Sequence, residues 1–203
     1  MHPLSLGADL EIHSMTKYIN GHGDSLGGCV LGSRELISKV KEVAMVNFGG
    51  ILSPFNAWLT ARGVATLPLR FAQHIKVALA VARFLEGCPA VRFVRYPGLE
   101  SHPQHELAET LMGEQYSGMI AFDIIGDEAA HEKFLDSLQL VTHAVSLGDI
   151  ESLIVYYDKK SDKLPHYPEL FRQGFFRFSI GLEDEKDLIA DLSQAMQRAG
   201  VLS

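Results

Sequence analysis

Two short apolar runs, Leu10-Glu11-Ile12 and Leu26 to Leu31, bracket the stretch Ser14-Met15-Thr16-Lys17-Tyr18-Ile19-Asn20-Gly21-His22-Gly23-Asp24. The first run alternates and reads as a strand delivering Ser14 to Lys17 at its end. The second carries Gly27, Gly28, Cys29 and Val30, small and β-compatible residues that suit a buried strand whose backbone is approached closely. A strand, a glycine-rich turn and a second strand form a rigid mount for the single lysine between them. A lysine amine is a nucleophile only when neutral, so a lysine that forms a Schiff base needs a dry setting. Ser14 and Thr16 flank that amine with short hydroxyls suited to holding a phosphate. On spacing alone, a solvated surface lysine remains the commoner use of such a pattern, and His22 fits a turn-stabilising role as well as a catalytic one.

Downstream, Ser33 caps a helix in which Leu36, Ile37, Val40, Val43 and Ala44 recur at helical spacing, ending at Asn47-Phe48-Gly49-Gly50. Ser53-Pro54 opens a short helix through Trp58 that stops at Gly63. A longer helix runs from about Pro68 to Leu85, with Ile75, Leu79, Ala82 and Leu85 down one face, and marks the join of two domains, 1–68 and 69–203. Strands are expected at Val91–Val94, Gly118–Ile124, Val141–Val145, Leu153–Tyr156 and Phe175–Ile180. Helices are expected at His102–Met112 and Glu128–Leu138, with a closing helix capped by Asp184 whose inner stripe is Leu188, Leu192, Ala195 and Met196. Asp158 to Lys163 is charged and lacks apolar anchors, which predicts a mobile loop. The pattern says α/β for residues 1–68 and α+β for the remainder. Leu10, Ile12 and Val30 belong to strands short of sheet neighbours, so the first segment is expected to expose apolar surface and to self-associate or depend on a partner chain.

A net charge of −7 without a cluster of Lys and Arg argues against a nucleic-acid surface. No run approaches the roughly 18 apolar residues of a membrane span, and the first residues lack the basic start and long apolar core of a signal peptide, so the expected location is cytoplasmic. Cys29 and Cys88 stand far apart without a CxxC and read as small buried residues. The histidines show no metal-ligand spacing, and no metal site is expected.

His13 to Tyr18 followed by Asn20-Gly21-His22-Gly23-Asp24 resembles the cofactor-lysine segment of the pyridoxal-phosphate (PLP) enzymes of cysteine and methionine metabolism, the trans-sulfuration family, and within it the methionine γ-lyases. The likeness continues through Leu52-Ser53-Pro54, Arg62-Gly63, Tyr96-Pro97-Gly98-Leu99, Ser146-Leu147-Gly148-Asp149 and Arg177 to Asp184. It implies the aspartate-aminotransferase-like fold of PLP-dependent transferases. Residues 1–68 would be a remnant of the large cofactor domain, and 69–203 the smaller carboxy-terminal domain. It implies pyridoxal 5'-phosphate as cofactor, Lys17 as its Schiff-base lysine and proton shuttle, and Ser14 and Thr16 as phosphate ligands. The implied reaction is γ-elimination from L-methionine or homocysteine. Relatives of the same family that process cystathionine or act as sulfhydrylases share the motifs, and a non-catalytic interaction module of this fold is the competing class.

Arg177 sits in the apolar strand Phe175-Phe176-Arg177-Phe178, where burial demands an anion. A structural ion pair and a bidentate hold on a carboxylate both answer that demand; the resemblance implies the second, on the substrate's α-carboxylate. Ser146 is by itself a β-turn serine, which the resemblance places against the same carboxylate. Glu183 reads as a first-turn charge near a helix dipole. The chain departs from the family pattern at Val46-Asn47, where methionine γ-lyases carry a Lys-Asp pair. It departs again at Val155-Tyr156-Tyr157-Asp158-Lys159-Lys160, which replaces a Pro-x-x-Met-Thr-His run. Family members are roughly twice this length. The acid for the pyridine nitrogen and the stacking aromatic precede the lysine in them, so this chain is expected to be a carboxy-terminal half. Such a half would turn over weakly alone and associate as a homo-oligomer or with a partner chain carrying the missing amino-terminal half.

Overall fold

Alternating inward and outward residues build the strands, and the register of those strands decides which side chains share a face. In the computed structural model, which describes residues 1–162 and 164–203, the chain divides into two compact units, Met1–Pro68 and Leu69–Ser203. In the first, strand β1 (Leu10–Ser14) pairs antiparallel with β2 (Gly28–Gly32), Ile12 opposite Val30 and Ser14 opposite Gly28. Helix α1 (Arg34–Lys41) starts where the Ser33 hydroxyl accepts from the Leu36 N–H at 3.3 Å, and then widens into a looser turn over Glu42–Asn47. Helix α2 (Pro54–Ala65) is capped by Ser53 and runs through Gly63 without stopping. Its glycine is there for a close approach, since a Cβ at Gly63 would collide with the Asn20 backbone. The buried residues of this unit are polar or small, Asn20, Ser25 and Thr60 among them, and among the described residues the buried apolar side chains begin only at Val77. Ile12, Leu26, Val46 and Phe48 are 73–81% exposed.

Helix α3 (Leu67–Gly87) leads into the second unit. Its buried stripe is Arg70, His74, Val77, Ala78, Val81, Ala82 and Leu85; Ala82 and Leu85 are buried as expected from sequence, whereas Ile75 and Leu79 are half-buried at its edge, because Arg70 and His74 share the stripe. A five-stranded mixed sheet follows, in the order β3 (Val91–Arg95), β4 (Met119–Ile124), β7 (Phe175–Ser179), β6 (Leu153–Tyr157), β5 (Thr142–His143). All neighbours are antiparallel except β5 and β6. Strand β5 is much shorter than the expected Val141–Val145, and the chain beyond it turns into the Ser146 loop. Helices α4 (His105–Met112), α5 (Glu128–Ser137) and α6 (Glu185–Arg198) complete the unit. One face of the sheet, with Phe122, Ile124, Phe176 and Phe178, forms a single core with α3, α5 and α6. Leu188, Leu192, Ala195 and Met196 supply the α6 stripe as the spacing predicts. The other face carries a smaller cluster of Phe93, Leu164 and Phe175, against which Tyr157 and Phe171 pack. Cys88 is buried, whereas Cys29 is only half-buried because it lies on a two-stranded pair. The charged segment 158–163 begins as turns, and Lys163 at its end lies outside the described residues. No helix among the described residues is long and apolar enough to cross a membrane.

Candidate active site

The functional residues expected from sequence fall into two groups, one in each unit. In the first, Lys17 lies in a wide helical turn, Met15–Ile19, that β1 leads into. The Asn20 N–H donates to the Met15 carbonyl at 2.9 Å, and the turn is interrupted at Lys17 itself, where ψ is −139°. The lysine is half-buried. Gly27 on the returning segment ties this turn down: its carbonyl accepts from the Met15 and Thr16 N–H groups at 2.9 and 3.3 Å. A Cβ at Gly27 would stand 3.0 Å from Met15 Cε and 3.1 Å from Leu52 Cδ1.

The two hydroxyls are not equivalent. Thr16 Oγ accepts from the Gly27 N–H at 3.0 Å and donates to its carbonyl at 3.4 Å, so it is engaged in fastening the turn. Ser14 is exposed and makes no capping bond to the turn that follows. Beyond the lysine, buried Asn20 donates through Nδ2 to Asp24 Oδ1 at 2.8 Å, and His22 Nδ1 lies 2.7 Å from the Asn20 carbonyl. Both bonds stabilise the turn.

In the second unit, Arg177 sits mid-strand on β7, with Ala121 of β4 and Val155 of β6 as its register partners. Its Nη2 donates to the Val145 and Ser146 carbonyls at 2.5 and 3.1 Å, and its Nη1 to Tyr157 Oη at 3.2 Å. Its Nε is buried and has no acceptor among the described residues. The structure thus brings Arg177 and the Ser146 turn together. The Ser146–Asp149 turn closes at Gly148, whose φ of +73° suits a glycine, and whose N–H donates to buried Ser179 Oγ at 2.9 Å.

Sequence reasoning missed the groups behind this turn. Glu183 is not a dipole charge: it accepts from the Ser152 N–H and Oγ at 2.6 and 2.8 Å, while Ser152 Oγ accepts from the Gly181 N–H at 2.9 Å. Arg70 and His74, both buried on α3, were legible only as interruptions of an apolar stripe. Burial holds the Arg70 guanidinium below its ordinary value, opposed by the charge of Asp149. Burial likewise holds His74 below 6.5, although its Nδ1 lies 2.7 Å from the Ile180 carbonyl.

The model of the Cys/Met metabolism PLP-dependent enzymes matches residues 1–197, and the chain belongs to that family. It is 50% identical to a canavanine γ-lyase of Rhizobium leguminosarum over 96% of this chain and 49% of that protein. To an L-methionine γ-lyase of Treponema denticola it is 44% identical, over 97% of this chain and 50% of that protein. The crystal structure of cystathionine γ-synthase from Xanthomonas oryzae, in complex with aminoacrylate and cysteine, superposes with a TM-score of 0.87 at 39% identity. It covers 99% of this chain and 53% of that one. The chain therefore spans about half the length of the curated relatives it matches.

Family membership implies pyridoxal 5'-phosphate as the cofactor. The residues present suit part of it: Lys17 is half-buried and its amine suits an aldehyde carbon, and the hydroxyl of exposed Ser14 suits a phosphate oxygen. Thr16 suits it less well, since its hydroxyl already bonds Gly27.

Proposed function

We propose that this chain carries the lysine and the carboxylate-binding residues of a PLP-dependent γ-lyase acting on an L-amino acid with a heteroatom leaving group at Cγ. Residues 1–68 would be part of the cofactor domain and 69–203 the carboxy-terminal domain. The observation that carries the reading is Arg177. A buried N–H without an acceptor costs about 1–3 kcal/mol, and a guanidinium with such an N–H beside a glycine turn is suited to a substrate carboxylate.

In this reading Lys17 Nζ holds the cofactor, with Ser14 and Thr16 beside the phosphate. When bound, the cofactor supplies the electron sink that makes the substrate Cα–H acidic. Freed by the substrate amine, Lys17 Nζ takes the proton at Cα and serves the proton at Cβ, which allows the Cγ leaving group to depart. Arg177 and the Ser146 turn would hold the α-carboxylate. The exposed apolar side chains of the first unit, Ile12 and Phe48 among them, would be covered by the remaining part of the fold or by a partner copy.

Methionine or homocysteine is the substrate suggested by the sequence motifs. A second reading, canavanine, is favoured by the identity of 50% to a canavanine γ-lyase, and both place the leaving heteroatom on Cγ. Assays for the keto-acid product with methionine, canavanine and cystathionine side by side, with any subunit the chain requires, test the proposal. Product from one of the first two and its loss in Lys17→Ala are expected; equal product from the Lys17→Ala variant would overturn it.

A further inference from the structure

We propose that Tyr157 is a positioning residue that locks the Arg177 guanidinium in the orientation needed for a carboxylate. The inference rests on the reading of Arg177 given above and adds a residue that the site motifs do not contain.

The strand register explains why the two side chains meet. Val155 is opposite Arg177 and Tyr157 is opposite Phe175, so Tyr157 and Arg177 are diagonal neighbours on one face, within reach of long side chains. The tyrosine is itself well anchored. Its ring lies 5.2 Å from that of Phe175 at 30°, and it packs on the cluster of Phe93, Leu164 and Phe175. From that fixed position Oη accepts from Arg177 Nη1 at 3.2 Å, and the guanidinium carbon lies 5.9 Å from the ring centroid.

On its other side the guanidinium is fastened to the Val145 and Ser146 carbonyls through Nη2. Two anchors on different nitrogens define a plane, whereas one would leave the group free to swing about its Cδ–Nε bond. A guanidinium has five N–H groups, and these bonds use three of them. Nε–H, buried without an acceptor, remains for a carboxylate oxygen. Without the phenol oxygen, it loses its fixed direction.

Tyr157→Phe removes the acceptor while keeping the ring in its cluster and under the guanidinium. In the chain labelled with ¹⁵N-arginine, nuclear magnetic resonance of the guanidinium N–H groups reads the lock without any ligand, with Arg177→Lys assigning the signals. Separate, slowly exchanging Nη signals of Arg177 are expected in the wild type, merging in Tyr157→Phe at unchanged far-ultraviolet circular dichroism. Unchanged Arg177 signals in the variant would overturn the inference.

Titration with L-norleucine, which carries the carboxylate but no leaving group, then reads the consequence. Affinity should fall about five- to tenfold in Tyr157→Phe, the scale of one ordinary hydrogen bond acting indirectly on the site. It should fall no further when the change is made in Arg177→Lys, and binding of L-norleucine amide should be insensitive to it. Equal losses for the acid and the amide would refute the positioning role. L-norleucine affinity unchanged in Arg177→Lys would instead refute the carboxylate reading of Arg177, leaving the resonance experiment to decide whether Tyr157 holds the group.

Discussion

Glu183 offers a sharp test of how the Ser146 turn is held. Ser152 is 0% exposed, and both its N–H and its hydroxyl donate to the Glu183 carboxylate, while its hydroxyl also receives the Gly181 N–H. Glu183→Ala strands two buried donors at once. Each buried donor left unsatisfied costs about 1–3 kcal/mol, so the variant should lose about 2–6 kcal/mol. With an m-value of about 1.5 kcal/mol/M in urea, the unfolding midpoint followed by far-ultraviolet circular dichroism should drop by about 1.3–4 M. Glu183→Gln retains one acceptor oxygen and should lose roughly half as much. Because Ser152 and Gly181 are fastened to one another and to Glu183 just beyond the Ser146–Asp149 turn, carboxylate binding at Arg177 should weaken in the alanine variant before global unfolding. A midpoint within about 0.3 M of wild type, equivalent to about 0.5 kcal/mol, would show that Ser152 finds other partners and that Glu183 does not organise the turn.

Other outcomes follow from the same structure. Asp191 on α6 accepts from the Gln139, Leu140 and Val141 N–H groups at 2.9, 2.9 and 3.2 Å, so Asp191→Ala should lower stability by about 3 kcal/mol or more in the same urea assay. Gly63→Ala should destabilise by about 1–3 kcal/mol through overpacking on Asn20, read as increased proteolysis within residues 1–68. His131 loses solvation on burial, which alone would lower its pKa. The hydrogen bond and charge of buried Asp123 outweigh that and raise it. Its contribution to stability is therefore complete below the unfolded value of about 6.5 and fades as pH rises through the higher folded value. The stability gap between wild type and His131→Gln should shrink accordingly between mildly acidic and alkaline pH. Burial, reinforced by Asp123, pushes Tyr156 up to about 12, and Tyr156→Phe should remove one late-ionising phenol from the ultraviolet titration.

What the sequence showed plainly were the residues whose chemistry is local. Ser33, Ser53 and Asp184 are caps wherever they occur, and each accepts the bond its position predicts. The α6 stripe is apolar at every buried position but Asp191, so periodicity found it. The α3 stripe contains His74 and Arg70, so periodicity found its apolar end at Ala82 and Leu85 but took half-buried Ile75 and Leu79 in place of the polar start. Arg177 stood out as a cation in an apolar strand, yet its partners did not. Tyr157, Val145 and Ser146 reach it only through the β6–β7 register and the turn after β5, which are long-range pairings with no local signature. Glu183 was misread for the same reason, since Ser152 is distant in sequence and adjacent in space. The kink at Lys17 and the engagement of Thr16 with Gly27 likewise depend on the return of β2.

Lys17, as the proposed cofactor lysine, is open to direct chemical labelling. The chain incubated with pyridoxal 5'-phosphate, reduced with borohydride and digested should yield, by mass spectrometry, one dominant pyridoxyl-lysine peptide containing Lys17, with the label lost in Lys17→Ala. Label distributed over Lys39, Lys76, Lys160 and other lysines with none favoured, or unchanged total labelling in the variant, would contradict it.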